Sequence, residues 1–278
     1  MAIEYKCGKE TIEKVLKKMK NHRIISENAE FNHFAEKQLR MEVAYRDLDF
    51  LQRLGRIDEV KTVNTILELL KSKGFISETS SYNKDLFEQF RKEIKLKFKV
   101  PWTSITPVME RLLYMLSSVK KPEIIFAAGI YCGNTLAWNV GPGFGKYQSY
   151  IFNKAFGIEI EQQSIEIAKS NFKKLQNSDN IELICDDALK IAERLDENID
   201  YIYLDADCEK TGKRIYLDIL KILYPKLKKD GWVLAHDSTE WCFEEDLREY
   251  KAFVRNKTNF NESFCFDIDS YGLELSIK

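Results

Sequence analysis

The sequence predicts an α/β fold: a doubly wound, mostly parallel sheet with an antiparallel last strand, preceded by an N-terminal helical domain. Three observations predict it. From Pro101 onward, short apolar runs alternate with helical patterns, the signature of parallel strands with helices on both faces. Five of those runs end in polar or glycine residues, which gathers them on one edge of the sheet. The last two strand-like runs, "SFCFDID" and "YGLELSIK", are separated only by a turn. Strands joined that way must pair antiparallel, so the sheet ends mixed.

Taken in order, residues 1–100 read as a helical appendage. "TIEKVLKKMK", "FNHFAEKQLRMEVAYRDLDFLQRLGR" and "DEVKTVNTILELLKSKGF" place apolar residues at helical spacing with charge on the other faces. Gly55 and Gly74 stand where helix C-caps are expected. "NKDLFEQFRKEIKLKF" is a further helix running toward Pro101. The second region, 101–278, opens with the helix "ERLLYMLSSV" and the strand "EIIFAAG", and "NTLAWNV" starts the next helix. Strand "KAFGIEI" precedes helix "QSIEIAKSNFKKLQ"; strand "IELICDD" precedes helix "ALKIAERL". Strand "IDYIYLDAD" precedes helix "RIYLDILKILYPKL", and "GWVLAHD" is the fifth strand.

Composition narrows the class. Among 278 residues, 44% are hydrophobic and 31% charged, a balance that can bury a sizeable core. A net charge of −1 supplies no overall field toward nucleic acid or anionic lipid. No apolar run is long enough to span a bilayer, and the opening "MAIEYKCGKE" lacks the apolar core of a signal peptide. The expectation is a cytoplasmic protein. Its six cysteines, Cys7, Cys132, Cys185, Cys208, Cys242 and Cys265, include no CxxC pair and read as free thiols.

In a doubly wound sheet, ligands bind beyond the carboxyl ends of the strands. The first strand delivers Gly129–Ile130–Tyr131–Cys132–Gly133, where glycine lets backbone approach a ligand. The second delivers Glu159, 26 positions after Gly133, a carboxylate able to accept both hydroxyls of a ribose. Dinucleotide folds place this acid at roughly 20 residues; the loop "NVGPGFGKYQS" accounts for the extra length. The third strand delivers Asp186 and Asp187, the fourth Asp205 and Asp207, and the fifth His236, Asp237 and Ser238. An acid after a strand is often a helix N-cap, and Asp237 has that alternative. The edge as a whole is acidic, and no GxxxxGK[ST] loop exists, which argues against a nucleoside triphosphate. A ligand with an amino group, a ribose and a positive charge suits it, and S-adenosylmethionine has all three.

The segments "IYCGNTLAW", "FGIEIEQQSIEIAKSNF", "DDALKIAERL", "IDYIYLDADCEK" and "LKKDGWVLAHDSTEW" resemble successive motifs of class I S-adenosylmethionine-dependent methyltransferases. They are most similar to the metal-dependent O-methyltransferases that act on catechols and caffeoyl-CoA. "PWTSITPVMERLLYML" and "YGLELSIK" resemble that family's segment before the first strand and its last strand. The resemblance implies a Rossmann-like fold over 101–278. It implies that Ser104, Gly129, Tyr131, Gly133 and Thr135 line the methionine end of the cofactor. Glu159 would hold the ribose, Asp187 and Ala188 would flank the adenine, and Asp205 would close the cofactor site. Asp205 and Asp237 match two ligands of a divalent cation such as Mg²⁺, for which hard oxygen donors are suited, and Ser238 stands at the position of a third.

This chain also departs from the family. Ala127 stands where the first strand carries an acid, and Ser238 where an asparagine ligates the metal. Cys208 replaces a lysine that serves as general base in the catechol enzymes; Lys210 or Lys213 could substitute. The resulting expectation is O-methylation of a small-molecule acceptor, with Asp205, Asp237 and Lys210 as catalytic residues. The helical appendage would cover the substrate side and help form a homodimer. Alternatives are a peptide or carrier-bound acceptor, aminocarboxypropyl transfer as in nicotianamine synthase-like enzymes, or a non-catalytic binding module.

Overall fold

The computed structural model describes residues 58–100, 105–175, 178–269 and 271–278. The helices expected within 11–20 and 31–56, the cap at Gly55, and Cys7 and Ser104 lie outside the described residues.

Local chemistry starts each of the first helices. Asp58 caps α1, Glu59–Ser72, by accepting from the Lys61 N–H, which satisfies one of the unpaired donors of a helix start. Its buried residues Val63, Ile66, Leu67 and Leu70 follow helical spacing, and Gly74 leaves the helix at φ +74°. Asn83 caps α2, Lys84–Lys97, which buries Phe87, Phe90, Arg91 and Ile94. Thr106 caps α3, Pro107–Lys120, with Pro107 in the first turn, where no backbone donor is needed. α3 is buried from Val108 through Ser118.

Among the described residues, seven strands form one sheet: β1 (Ile124–Ala128), β2 (Lys154–Glu159), β3 (Ile181–Cys185), β4 (Ile199–Leu204), β5 (Leu227–His236), β6 (Glu262–Phe266) and β7 (Leu273–Ile277). Their spatial order is β3-β2-β1-β4-β5-β7-β6. β1 through β5 pair in parallel, while β7 runs antiparallel between β5 and β6. The expected mixed ending is therefore present, with β7 inserted beside β5 and β6 at the edge.

Alternation along the strands divides the core in two. Ile125 and Ala127 of β1, Tyr201 and Tyr203 of β4, and Trp232 and Leu234 of β5 join α1, α2 and α3 in one apolar cluster. Phe126 and Ala128, Ile202 and Leu204, and Val233 and Ala235 join the opposite one. Helix α4, Asn134–Val140, is buried throughout its length on the first face. Helices α6 (Ala188–Arg194), α7 (Ile215–Leu223) and α8 (Glu244–Val254) cover the second. Helix α5, Gln162–Phe172, packs Ile165, Ala168 and Phe172 into the first cluster.

Some boundaries differ from those the sequence predicts. α7 ends at Leu223, and Tyr224–Lys226 continue as a 3-10 turn, because Pro225 lacks the donor an α-helix needs. Helix α8 has no counterpart in the element order read from the sequence. Its first turn carries Glu244, Glu245 and Asp246, and it buries Leu247, Tyr250 and Val254. The acids favour a helix start electrostatically, and the short apolar stripe is easily overlooked in so charged a segment.

The helices α1 and α2 do not stand apart from the sheet. Their apolar stripes are covered by α3, α4 and the sheet of the same chain, in one continuous cluster. Phe90 packs edge-on to Trp138 of α4 at 5.6 Å between ring centroids. Among the described residues, no helix is long and apolar enough to cross a membrane, and the five described cysteines are free thiols.

Candidate active site

The winding direction reverses at β1, which has β2 on one side and β4 on the other. A crevice opens at such a reversal, and the chain leaving β1 must turn sharply there. Gly129 makes the turn at φ +78°. A Cβ on it would lie 2.4 Å from the backbone nitrogen of Ala206, so only glycine lets the two strand ends cross this closely. Tyr131 follows in the left-handed region at φ +49°, an uncommon conformation for a bulky side chain.

That conformation aims the Tyr131 N–H at the Glu159 carboxylate, 2.7 Å away. The other carboxylate oxygen accepts from the Glu161 N–H at 3.1 Å. Glu159 is buried, and burial pushes its carboxyl up against the opposing pull of the Glu161, Tyr131 and Ile160 backbone donors. The two oxygens offer about four acceptor sites to these three donors, which leaves room for an incoming hydroxyl. Beside it, Ile160 is 65% exposed, an apolar surface at the strand end. Gly133 opens α4, and the hydroxyl of Thr135 in its first turn is buried without a hydrogen-bond partner. Asn171 of α5 pins this turn by donating to the Cys132 carbonyl at 3.0 Å.

These observations fit S-adenosylmethionine. A buried, backbone-held carboxylate suits ribose hydroxyls, and the unpartnered Thr135 hydroxyl suits a polar ligand end. Asp187 sits one strand further on, where it caps α6 by accepting from the Leu189 N–H at 2.9 Å, with Ala188 as the first helical residue. The helix that follows β5 is entered through Phe243 without a side-chain cap, so Asp237 does not take the N-cap role.

On the other side of β1, Asp205 leaves β4 and Asp237 leaves β5. The Asp205 N–H donates to Ala128 of β1 at 2.9 Å, and Asp237 adopts φ +61°. Their carboxylates converge on Lys213. Its Nζ lies 2.8 Å from Asp237 Oδ2 and 3.3 Å from Asp205 Oδ1. It also lies 3.0 Å from the Tyr216 hydroxyl and 3.4 Å from the Asp205 carbonyl. His236 Nδ1 faces Asp205 Oδ1 at 3.3 Å and Asp237 Oδ1 at 3.2 Å. The Tyr203 hydroxyl donates to the remaining oxygen, Asp205 Oδ2, at 3.3 Å.

The electrostatics are mutual. Burial would lower the Lys213 ammonium, but Asp237, Tyr216 and Asp205 hold it well above the usual lysine range. Burial would also lower His236, and Asp237 and Asp205 instead raise it to about 9. Burial would raise Asp205, but His236 and Lys213 keep it below the usual carboxylate range.

Asp205, His236 and Asp237 each offer an atom of metal-ligand type, all within 4.8 Å of one another. A divalent ion nevertheless does not fit this arrangement. The Lys213 ammonium stands between the two carboxylates, and every carboxylate oxygen has a partner. A doubly charged ion about 4 Å from that ammonium would meet a repulsion on the order of 8 kcal/mol at an effective dielectric of about 20. Ser238, the third expected ligand, is buried with its hydroxyl 3.9 Å from the Cys265 sulfur.

The structure separates the two lysines that the sequence left open. Lys210 is exposed at the tip of the turn after β4, whereas Lys213 is 4% exposed. Cys208 and Gly212 exchange backbone hydrogen bonds across that turn, which folds the chain back and delivers Lys213 inward. Asp246 of α8 then accepts from the Lys213 N–H and the Arg214 Nε, both at 3.2 Å. The expected base Lys210 is thus not brought to the acids. His236 was named from the sequence only as a strand-end residue without a role, and Tyr203 and Asp246 were not named. One signal existed for Lys213: it directly precedes a helix, where a cation is electrostatically unfavourable and needs an anionic partner.

The family profile described as O-methyltransferase matches residues 77–268. No curated protein matches as a relative. Among solved structures, an O-methyltransferase from Bacillus cereus in complex with S-adenosylhomocysteine is similar at 13% identity and TM-score 0.54, covering 77% of this chain and 99% of that one. TomG from Streptomyces achromogenes, an O-methyltransferase involved in tomaymycin synthesis and solved with S-adenosylmethionine, is similar at 12% identity and TM-score 0.54, covering 80% and 98%. The S-adenosylhomocysteine-bound methyltransferase PaMTH1 from Podospora anserina is similar at 16% identity and TM-score 0.53, covering 78% and 94%. At these identities the structural likeness speaks to the fold.

Proposed function

The chain belongs to the O-methyltransferase family of S-adenosylmethionine-dependent enzymes, and on that premise we propose that it methylates a hydroxyl of a small molecule held beside Asp205. The observation that carries this reading is the split of one sheet edge into two unlike halves. Around Glu159 and Thr135 it is a buried polar cradle; around Asp205 and Asp237 it is a closed set of charges.

S-adenosylmethionine supplies a methyl group already activated on a sulfonium, so the protein's part is chiefly proximity and orientation. Gly129, Tyr131, Gly133 and Thr135 would hold its methionine end, Glu159 its ribose, and Asp187 and Ala188 its adenine side. Asp205, the more exposed of the two central carboxylates by side chain, is the group an acceptor hydroxyl can reach. There it orients the hydroxyl and offsets positive charge as the oxygen attacks: the O–CH3 bond forms as the S–CH3 bond breaks, S-adenosylhomocysteine leaves, and the hydroxyl proton passes to solvent water. Lys213 and His236 fix its direction, and they hold its pKa below the usual range, so Asp205 acts mainly through its charge.

The test is product analysis with a panel of phenolic and aliphatic hydroxyl acceptors. S-adenosylhomocysteine should appear together with a methyl ether. Methylthioadenosine would instead indicate aminocarboxypropyl transfer, and no cofactor binding by calorimetry would leave a non-catalytic module.

A further inference from the structure

We propose that Lys213 is a built-in cation that takes the place of a divalent ion between Asp205 and Asp237, so that this chain transfers methyl groups without a metal. The inference rests on reading this sheet edge as the methyl-transfer site.

Four oxygens surround the Lys213 Nζ between 2.8 and 3.4 Å: one from each carboxylate, the Asp205 carbonyl and the Tyr216 hydroxyl. Hard oxygen donors of this kind ordinarily enclose a cation. The rings of Tyr216 and Phe243 lie 5.2 and 5.3 Å from the same nitrogen and add further attraction for positive charge. The position is also anchored from behind. Asp246 holds the Lys213 N–H at 3.2 Å, and Gly212 passes so close to that carboxylate that a Cβ there would lie 2.1 Å from Asp246 Oδ2. At φ +57°, Gly212 makes the bend that lets the lysine stem enter the core. The cation is therefore tethered by the chain and placed by the helix that follows the fifth strand. Nothing in it needs to be loaded from solution.

The test uses the full chain and Mn²⁺ alone, followed by the electron paramagnetic resonance signal of the free ion. Calorimetry with S-adenosylhomocysteine runs in parallel. Wild type should leave the Mn²⁺ signal at its free amplitude. Lys213→Ala opens the space between the acids and should bind one Mn²⁺ per chain, at least about tenfold more tightly than wild type. Adding Asp237→Asn to that variant should abolish the gain. Lys213→Met replaces Lys213→Ala if circular dichroism shows the latter unfolded. Stoichiometric Mn²⁺ binding by wild type that is lost in Asp237→Asn would overturn the proposal. So would a folded Lys213 variant that gains no Mn²⁺, because the ammonium would then not occupy a cation site. Absence of S-adenosylhomocysteine binding would refute the functional reading alone, since the Mn²⁺ comparison does not depend on it.

Discussion

Glu159 and Thr135 carry the most direct residue-scale predictions, because each holds a polar atom whose partners the fold only partly supplies. Both Glu159 oxygens are aligned by backbone donors, so the side chain is preorganised. Glu159→Ala should weaken S-adenosylmethionine by about 1–3 kcal/mol, since ribose hydroxyls lose a charged acceptor. Calorimetry on both proteins checks this, and equal affinities would move the ribose elsewhere. Thr135→Val is the complementary case. It removes a buried hydroxyl that makes no hydrogen bond within the protein, so thermal stability should hold or rise. If the hydroxyl meets the cofactor, affinity should fall by about 0.5–1.5 kcal/mol. A drop in stability with unchanged affinity would assign Thr135 to the helix alone.

At the scale of elements, the turn between β4 and α7 decides what the site contains. Residues 208–212 close on themselves, and Asp246 of α8 locks the exit. Asp246→Ala should therefore destabilise the chain by about 1–2 kcal/mol in urea, the cost of two lost hydrogen bonds. Amide exchange across 208–214 should quicken while S-adenosylmethionine affinity stays near wild type. Unaltered exchange there would show that the turn holds itself. The strand ends were legible in the sequence because parallel strands force their carboxyl ends onto one edge, so Glu159, Asp205 and Asp237 could be named by counting. Lys213 was legible as one of two lysines, with its place just ahead of a helix as the one further hint. Its selection over Lys210 depends on a turn closed by Cys208 and Gly212 and on a carboxylate from a helix 33 residues away. Neither leaves a local pattern.

At the scale of the whole molecule, the sequence pattern changes near residue 100, yet the described residues 58–100 pack into the same apolar cluster as the sheet. The charged residues of α1 and α2 include Glu59, Glu88 and Arg91, which meet Glu110 and Arg111 of α3. Arg91 pairs with Glu59 at 2.7 Å and with Glu110 at 3.0 Å, and Arg111 pairs with Glu59 and Glu88. Both guanidinium groups lie over the Phe87 ring, 4.2 and 4.3 Å from its centroid. Helical periodicity locates each charge on a face but cannot say which face another helix will cover.

This network makes stability pH-dependent in a stated direction. Burial pushes the Glu110 carboxyl from its ordinary 4.5 up to about 7, outweighing the nearby Arg91. Between those two values the folded chain keeps a proton that the unfolded chain has released. Folding then binds more protons than unfolding, so this group's contribution to stability falls as pH rises from 4.5 toward about 7. Below 4.5 both states are protonated, and the penalty is absent. Glu110→Gln keeps the shape and stays neutral, while Arg91 retains Glu59. Urea midpoints across this window should therefore decline less steeply for Glu110→Gln than for wild type. An identical slope in the two proteins would mean that Glu110 ionises in the fold as readily as in water, with Arg91 fully compensating its burial.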